Sequence, residues 1–458
     1  MKKIELYLFV SILNIFIAAC SSKDDAATPA GTNAAITIPA TGISALETEQ
    51  DLDALLNQIG NAQYVLLGEA SHGTAEFYTW RAAITRRLIQ EKNFNLIAVE
   101  GDWPAAYAVN RYIRGEQNAT NATEVLRSFQ RWPTWMWANQ EIATLTEWLR
   151  QYNQEQQGTN PVGFYGLDVY SLWESLEAIA RSEAADEATL AAVRSAQSCL
   201  APYNRDEQAY GQATMRGTSC AGAIDQVLQA VRNRKAQLPA GHEEAFNAEQ
   251  NALVAVHAEQ YYMTMMNSGA SSWNIRDRHM METINRLVAH RGNNAKIVVW
   301  AHNTHVGDAR YTNMAAAGEV NIGQLVREQH ANAGVHVVGF GTYEGSVIAS
   351  NYWGGPITTF SVPAAPENTW EALLHQTAPP NKLINLQEWR SDQSLTQTRG
   401  HRAIGVEYNP GNEIYNYVPT DLPNRYDSFI FIDKTSALHP LQVTGTVGNN
   451  QPGAAANE

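Results

Sequence analysis

Cysteine, basic residues and long apolar segments are all scarce in this sequence. Three cysteines occur in 458 residues, and 32 Lys and Arg stand against 46 Asp and Glu, which gives a formal net charge of −14. Such an acidic surface makes nucleic acid and anionic membranes poor partners. After the first twenty residues, no apolar run approaches the roughly 18 residues that a transmembrane helix needs. With 44% apolar and 17% charged residues, the chain has the composition of a soluble globular protein.

Several common catalytic motifs are also missing. No G-x-S-x-G nucleophile elbow occurs; the nearest stretch, GTSCAG at 217–222, has Ala221 where the last glycine belongs and lies in a helical region. The sequence contains no H-E-x-x-H, C-x-x-C or P-loop motif, and no G-x-G-x-x-G after a strand. A serine hydrolase is therefore disfavoured. We expect no cofactor, and the sequence does not define an oligomeric state.

The N-terminus carries the features of an export signal. Two lysines precede an apolar stretch, and the small residues Ala18 and Ala19 precede Cys20. This order resembles a bacterial lipoprotein signal peptide over residues 1–19, with Cys20 as the lipidated terminus after cleavage; an ordinary secretory signal is the alternative. The SSKDD segment that follows resembles an outer-membrane sorting signal. We expect an outer-membrane protein that contacts the membrane through its lipid anchor only, on the periplasmic or cell-surface face.

Two segments are expected to lie outside the folded part. Residues 20–40 are small and polar and predict a flexible linker, and residues 443–458 predict a disordered tail. Between them, Cys199 and Cys220 are separated by 21 residues across two helical segments. An oxidising compartment permits a disulfide between them, although free thiols are the alternative.

Short apolar runs rich in Val, Ile and Leu predict an α/β fold with a mostly parallel central sheet flanked by helices. The runs are QYVLLGE, FNLIAVEG, PVGFYGLD, AKIVVWAH, VHVVGFG and DSFIFID. None of them alternates with period two, as expected for strands that are covered on both faces. Residues 172–290 contain no convincing strand and predict a helical cap. The α/β core is thus expected in two parts, residues 41–171 and residues 291–442.

The two core parts resemble each other. AQYVLLGEASH and AKIVVWAHNTH align without a gap, so that Glu69-x-x-His72 corresponds to His302-x-x-His305. Another strand follows each segment about 30 residues later. We therefore expect internally duplicated halves whose equivalent strand ends meet across a pseudo-twofold axis; chance similarity of two buried strands is the alternative.

Ionisable residues follow the predicted strands at the edge of the sheet where ligands bind. They are Glu69, His72, Glu100, Asp168, His302 and His305. Arg81 lies inside the apolar stripe of the next helix, and because a guanidinium keeps its charge, it needs Glu69 or Glu100 as a partner. We expect Asp168 to contact the substrate and the other six residues to be catalytic.

Tryptophans are concentrated beyond the second strand. Trp103 follows that strand, and Trp132 and Trp135 lie in RWPTWMWANQE. These rings are candidates for binding a bulky apolar substrate, and core packing beneath the cap is the alternative.

Histidines and carboxylates without a nucleophile favour direct activation of water. A histidine that a carboxylate orients can accept a proton from water, while other donors stabilise an oxyanion. A metallohydrolase is a second hypothesis, because zinc accepts such ligands, although i, i+3 spacing in a loop is weak evidence. A surface protein that binds a ligand without reaction is a third.

The chain resembles the erythromycin esterase family over roughly residues 45 to 442. The resemblance is carried, in order, by GEASHGTAEFYTWRAAITRRLI, IAVEGDWPAAYAVNRYI, FYGLDVYSLWESL, WNIRDRHM, VVWAHNTHVGD, RAIGVEYNPGNE and RYDSFIFIDKTSALHPL. It implies an α/β core with a helical cap and hydrolysis of the macrolide lactone ester of erythromycin-type 14-membered rings, which inactivates the antibiotic. It also implies that His72 is the general base, that Glu69, Arg81, Glu100, His302 and His305 complete the active site, and that no metal is needed.

Overall fold

A computed structural model describes residues 36–156, 161–266 and 270–442. The predicted signal peptide, the lipidation site Cys20, most of the linker and the tail from residue 443 lie outside the described residues, so those predictions stay predictions. Residues from Ile38 onward belong to one compact unit.

A central sheet of nine strands organises the described residues. Two further strands, β9 and β10, form a separate antiparallel pair. In chain order the strands are β1 (Ile43–Ala45), β2 (Tyr64–Leu67), β3 (Leu96–Asp102), β4 (Gly163–Asp168), β5 (Ile297–Trp300), β6 (Val335–Ser350), β7 (Ile357–Val362), β8 (Lys382–Asn385), β9 (Arg399–Arg402), β10 (Tyr417–Thr420) and β11 (Ser428–Thr435). The spatial order is β1-β8-β11-β6-β2-β5-β3-β4, and β7 pairs with the second half of β6. The six strands from β11 to β4 in this order run parallel, and all six were predicted from the sequence.

Helices connect the strands and cover the sheet. They are α1 (Asp53–Ile59), α2 (Ala75–Lys92), α3 (Trp103–Ile113), α4 (Ala122–Leu126), α5 (Gln140–Glu155), α6 (Leu172–Arg181), α7 (Glu187–Leu200), α8 (Glu207–Met215), α9 (Ala221–Lys235), α10 (Glu243–Thr264), α11 (Ser271–Arg291), α12 (Asn303–Val306), α13 (Met314–Ala317), α14 (Ile322–His330), α15 (Trp370–His375) and α16 (Leu422–Arg425). Every residue of β2 and β5 is buried, because helices cover both faces of the sheet.

The arrangement of the four central strands confirms the internal duplication. β2 and β5 are parallel neighbours with Tyr64 opposite Ile297 and Leu67 opposite Trp300, which is the gapless alignment of the two sequence segments. The next strand after β2 in the chain is β3, which lies on the far side of β5 in the sheet. In the same way, the next strand after β5 is β6, which lies on the far side of β2. A twofold axis between β2 and β5, parallel to the strands, therefore relates the strands of the two halves and brings the segments after β2 and β5 to one edge of the sheet.

The segment between β4 and β5 is helical throughout its described residues. Helices α6 to α11 fill it, and α6 to α10 enclose an apolar cluster of their own that includes Leu176, Val193, Ile224 and Tyr262. Cys199 and Cys220 form a disulfide within this cluster, so the predicted pairing is confirmed. Within the described ranges, no helix has the length and apolar character needed to cross a membrane.

Candidate active site

The loop after β2 pairs a histidine with a carboxylate. Nδ1 of His72 donates to Oε1 of Glu69 over 2.8 Å, and both side chains are buried. The other oxygen of Glu69 accepts a hydrogen bond from Nη2 of Arg81 on α2. Of the two partners predicted for Arg81, the structure therefore selects Glu69, and a guanidinium neutralises the carboxylate that orients His72.

Aromatic rings enclose the Arg81 guanidinium. Its central carbon lies 4.5 Å from the centre of the Tyr78 ring and 4.6 Å from that of Trp300. Nε donates to the carbonyl of Phe77 one turn earlier. Arg81 has 0% exposure, so these contacts hold a permanent cation away from water beside its carboxylate.

Glu100 on β3 reaches across to the second catalytic segment. Its Oε2 accepts a hydrogen bond of 2.7 Å from the backbone N–H of His302, just past the end of β5. Its Oε1 lies 3.3 Å from Nε2 of His305 and 2.7 Å from Nη2 of Arg276. Burial raises the pKa of Glu100, but His305 and Arg276 outweigh it and hold that pKa well below its usual range. Glu100 is therefore a fixed anion between the two segments.

His302 is neutral and presents a proton toward the site. Burial and the neighbouring His72 hold the pKa of His302 well below its usual range. Nδ1 lies 2.8 Å from the hydroxyl of Thr304, which is able to donate or accept, and it accepts the backbone N–H of Thr304 over 3.3 Å. The backbone N–H can only donate, so Nδ1 is the acceptor nitrogen and the proton of the neutral ring lies on Nε2. This buried Nε2 has no hydrogen-bond partner among the described residues, and the ring centre lies 4.9 Å from that of His72. His302 thus offers an unused donor beside the histidine and carboxylate pair.

His305 is held as a cation. Its Nδ1 lies 3.0 Å from both oxygens of Asp277 on α11, and Trp273 stacks on the ring at 4.5 Å between centres. Burial lowers the pKa of His305, but Asp277 and Glu100 outweigh it and raise the pKa to about 10. The raised pKa keeps His305 protonated at neutral pH, with Nδ1 donating to Asp277 and Nε2 directed at Glu100, so it is unsuited to accept a proton. The 3.1 Å approach of Nη1 of Arg276 to Nε2 is then a contact between two donors and not a hydrogen bond.

Arg276 joins the carboxylates at the ends of β3 and β4. Its Nε and Nη2 donate to the two oxygens of Asp168 over 3.0 and 2.9 Å, and Nη2 also reaches Glu100. Asp168 accepts the N–H of Val169 as well. The predicted substrate residue Asp168 is therefore buried and engaged within the protein, where it fixes Arg276.

Seven of the predicted residues meet at one place, and the three tryptophans are not part of that network. Direct contacts link the predicted set Glu69, His72, Arg81, Glu100, Asp168, His302 and His305 into one network. Trp103 and Trp135, at 0% and 1% exposure, take the core-packing alternative instead of the substrate-binding one; Trp103 donates to Asn247 and stacks on Tyr165. Trp132 is half-buried, bonded to the carbonyl of Gly355.

Arg276 and Asp277 were missed in the sequence, although they lie in the WNIRDRHM motif. A signal was present, because both lie on the apolar stripe of α11 with Met280 and Ile284, as Arg81 does on α2. A charge inside an apolar stripe needs a buried partner, and the same reasoning would have found them.

The described ranges contain no group of three or more His, Cys, Asp or Glu side chains arranged to hold a metal ion. Glu69-x-x-His72 and His302-x-x-His305 are instead linked by hydrogen bonds to one another and to the arginines. The metallohydrolase hypothesis stays a prediction, which measurement of the metal content of the purified protein tests.

Comparisons with known proteins identify relatives of this chain in sequence and in fold. The chain is 28% identical to Erythromycin esterase type II of Escherichia coli over 119 residues, which is 26% of this chain and 26% of that protein. A solved structure of a Bacillus cereus protein shares the fold, with a TM-score of 0.73 and 21% identity over 88% of this chain and 97% of that one. A mutant of the erythromycin esterase EreC in its open conformation also shares it, with a TM-score of 0.62 and 16% identity over 87% of this chain and 96% of that one. The sequence model of the family described as Erythromycin esterase matches residues 89–435. Because that match spans more than half of the sequence, the chain belongs to the erythromycin esterase family.

Proposed function

We propose that this protein hydrolyses the lactone ester of a macrolide, with His72 as the general base that activates water. The observation that carries the proposal is the unequal state of the three histidines. His305 is a cation with a pKa of about 10, and His302 is neutral with its proton on the nitrogen that faces the site. Neither suits proton abstraction, whereas Glu69 orients the ring of His72 through Nδ1, and in the proposed reaction Nε2 on the opposite side of the ring accepts the proton.

The reaction follows in two steps. Nε2 of His72 takes a proton from water as the water oxygen bonds to the lactone carbonyl carbon, and the carbonyl oxygen becomes an oxyanion. The N–H of His302 donates to that oxyanion. Collapse of the intermediate then breaks the bond between the carbonyl carbon and the ring oxygen, and the His72 imidazolium returns its proton to the leaving alkoxide. The product is the ring-opened hydroxy acid, and no covalent enzyme intermediate forms.

The surrounding charges support His72 without taking part in bond changes. Arg81 balances Glu69, so the carboxylate is able to stabilise the imidazolium that forms during the reaction. Glu100, Arg276 and His305 form a network that holds the turn bearing His302 in place. Fixed charges of this kind are already oriented before the reaction begins, which lowers the cost of charge development.

Family membership and charge support a macrolide as the substrate. The Escherichia coli relative is named an erythromycin esterase, and the amino sugar of such macrolides is cationic, which suits the formal charge of −14. Trp132, packed edge-on against Trp353 at 4.7 Å, offers an aromatic surface for the apolar ring. The histidines are buried in this conformation, so a ring of macrolide size needs the cleft to open.

Product analysis tests the proposal. Purified protein incubated with 14- and 16-membered macrolides should add one water to the 14-membered drugs, as seen by mass spectrometry. His72→Gln should lower kcat about 10²–10⁴-fold, the range for loss of a general base. Unchanged drug, or full activity of the variant, would reject the proposal. Activity that chelation removes and zinc restores would instead favour a metallohydrolase, and retention of intact drug would favour a binding protein.

We further propose that the mature protein is anchored to the outer membrane through a lipidated Cys20. The support is the small-residue pair before Cys20 and the basic start of the chain. Mass spectrometry of the mature N-terminus should find acyl chains on Cys20, and Cys20→Ser should release the protein from the membrane fraction. An unmodified Cys20 in the membrane-bound protein would contradict the anchor.

A further inference from the structure

Asn303 lies where the two catalytic segments meet. Its backbone N–H donates to the carbonyl of Glu69 over 2.9 Å, so it ties the His302 turn to the His72 loop. Its side chain crosses the chain at Gly68, where an added Cβ would lie 2.1 Å from Oδ1 of Asn303. Only glycine leaves room for this crossing. Asn303 is therefore a direct connection between the two halves at the site, in addition to Glu100.

The backbone of β6 fixes the orientation of the Asn303 amide. Nδ2 donates to the carbonyl of Phe340 over 2.7 Å, and Oδ1 accepts the N–H of the same residue over 3.3 Å. The second hydrogen of Nδ2 points to Nε2 of His401, 3.1 Å away. Nε2 of His401 must therefore accept, which places the ring proton on Nδ1, where it is donated to Glu371 over 2.6 Å. Glu371, His401 and Asn303 thus form a chain of hydrogen bonds with one allowed direction.

The segment that carries His401 also supports the other catalytic loop. The N–H of Ile404 donates to the carbonyl of Ala70 over 2.8 Å, and the N–H of His72 donates to the carbonyl of Ile404 over 3.3 Å. Residues 401–404 therefore bond to both catalytic segments, through His401 on one side and Ile404 on the other. This contact explains the RAIG part of the RAIGVEYNPGNE motif, for which the reaction steps give no role.

We infer that His401 and Asn303 are positioning residues of the active site, which hold His72 and His302 at their reacting distance through the chain of bonds from Glu371. They touch neither water nor the ester in the proposed reaction. A displacement of about 1 Å at a catalytic group is able to lower the rate about 10²-fold. The effect on kcat rests on the proposed function, whereas the effect on the loop does not.

The test compares replacements of His401 with a matched replacement elsewhere. His401→Phe keeps a ring and removes both hydrogen bonds, and His401→Gln keeps an acceptor for Asn303. The matched control is His336→Gln, because His336 is also buried, lies at the start of β6 before the Asn303 contact and bonds to Ser428 over 2.9 Å. We expect His401→Phe to lower kcat about 10- to 100-fold with little change in KM. His401→Gln should recover most of the loss, and His336→Gln should leave kcat unchanged.

Asn303→Asp gives a second readout. The carboxylate supplies no N–H to His401, so the bond reforms only when His401 is protonated at Nε2. The charged and titratable groups that face His401 are Glu371 on α15, Arg402 on β9, Arg425 at the end of α16 and Tyr426 directly after it. We expect the activity of Asn303→Asp to be low at neutral pH and to recover in part as the pH falls, unlike that of the wild-type protein.

Hydrogen exchange separates this inference from the proposed function. The amides of His72 and Asn303 should exchange faster in His401→Phe than in the wild-type protein and at the wild-type rate in His336→Gln. Wild-type protein that hydrolyses no macrolide would refute the function alone, and exchange would still decide the inference. Unchanged exchange in His401→Phe, or equal losses of kcat in His401→Phe and His336→Gln, would overturn it. If His401→Phe does not fold, the exchange rates of His401→Gln and the pH profile of Asn303→Asp decide: wild-type behaviour in both would overturn the inference.

Discussion

Removal of the Arg81 charge provides the sharpest test of the site. Arg81→Met keeps a long apolar side chain in the space between Tyr78 and Trp300 and removes the guanidinium. Glu69, at 1% exposure, then loses the cation that balances it. His72 in turn loses the stable orientation of its carboxylate partner. The variant should therefore lower both the free energy of unfolding and kcat.

The magnitude follows from burial and geometry. Removal of one partner of a buried ion pair costs about 3–5 kcal/mol, because the remaining charge is left uncompensated. The two ring contacts of Arg81 each add about 1 kcal/mol. Glu69→Gln should cost about 3–5 kcal/mol, because it leaves the guanidinium unpaired but keeps its two ring contacts. The double variant buries no charge at this position, so it should be more stable than the sum of the two losses predicts.

A double-mutant cycle measures this coupling. Urea unfolding of the wild-type protein, the two single variants and the double variant gives the coupling energy, which should be at least about 2 kcal/mol. A matched control is Arg87 on the same helix, which is partly buried and pairs with the exposed carboxylates of Glu91 and Asp53. Because exposed ion pairs contribute at most about 1 kcal/mol each, Arg87→Met should cost about 1–2 kcal/mol. Additive losses from Arg81→Met and Glu69→Gln, or a cost no larger than that of Arg87→Met, would refute the reasoning.

Three further predictions concern pH, the cap and the oxyanion. Burial lowers the pKa of His305, but Asp277 and Glu100 outweigh burial and raise that pKa to about 10. The protonated ring therefore contributes its full stabilisation below the unfolded pKa near 6.5, and this stabilisation is lost as the pH rises through 10. Urea unfolding at several pH values should show the loss, and the loss should be smaller in His305→Asn. The double variant Cys199→Ala, Cys220→Ala lacks the disulfide that closes a loop with a sequence separation of 21 residues. The free energy of unfolding should fall by about 3 kcal/mol, because the unfolded chain gains entropy. Calorimetry measures this loss, and an unchanged Tm would contradict it. His302→Ala should lower kcat about 10²–10³-fold, the usual cost of one lost oxyanion donor, and steady-state kinetics with KM near the wild-type value would support that role.

The parallel strands and the meeting of the catalytic residues were predictable because both depend on local patterns. Buried parallel strands read as short continuous apolar runs, and the polar residue after each run marks the ligand-binding edge. The antiparallel edge was missed for the converse reason. β7 is exposed at most positions and β1 has three residues, so neither gives an apolar run.

The partners of the catalytic residues could not be read from sequence spacing. Arg276 lies 176 residues from Glu100 and 108 from Asp168, and the folded cap brings them together. The role of Trp103 was also undecidable from sequence, because an aromatic ring just past a strand end suits both a cleft and a core. Its indole bond to Asn247 on α10 makes it a contact between the sheet and the cap.

The two halves began as similar strand-and-turn segments, yet their histidines have different electrostatic surroundings. His72 corresponds to His305 in the alignment, and Glu69 corresponds to His302. The first half supplies the carboxylate for its histidine within the turn, and Arg81 neutralises it. The second half has a histidine at that position, so His305 takes its carboxylates from Glu100 and α11 and becomes a fixed cation. The difference thus originates in the exchange of glutamate for histidine within the repeat and in Arg81, Glu100 and Asp277 outside it. The repeat alone therefore predicted the meeting place of the histidines but not which of them accepts a proton.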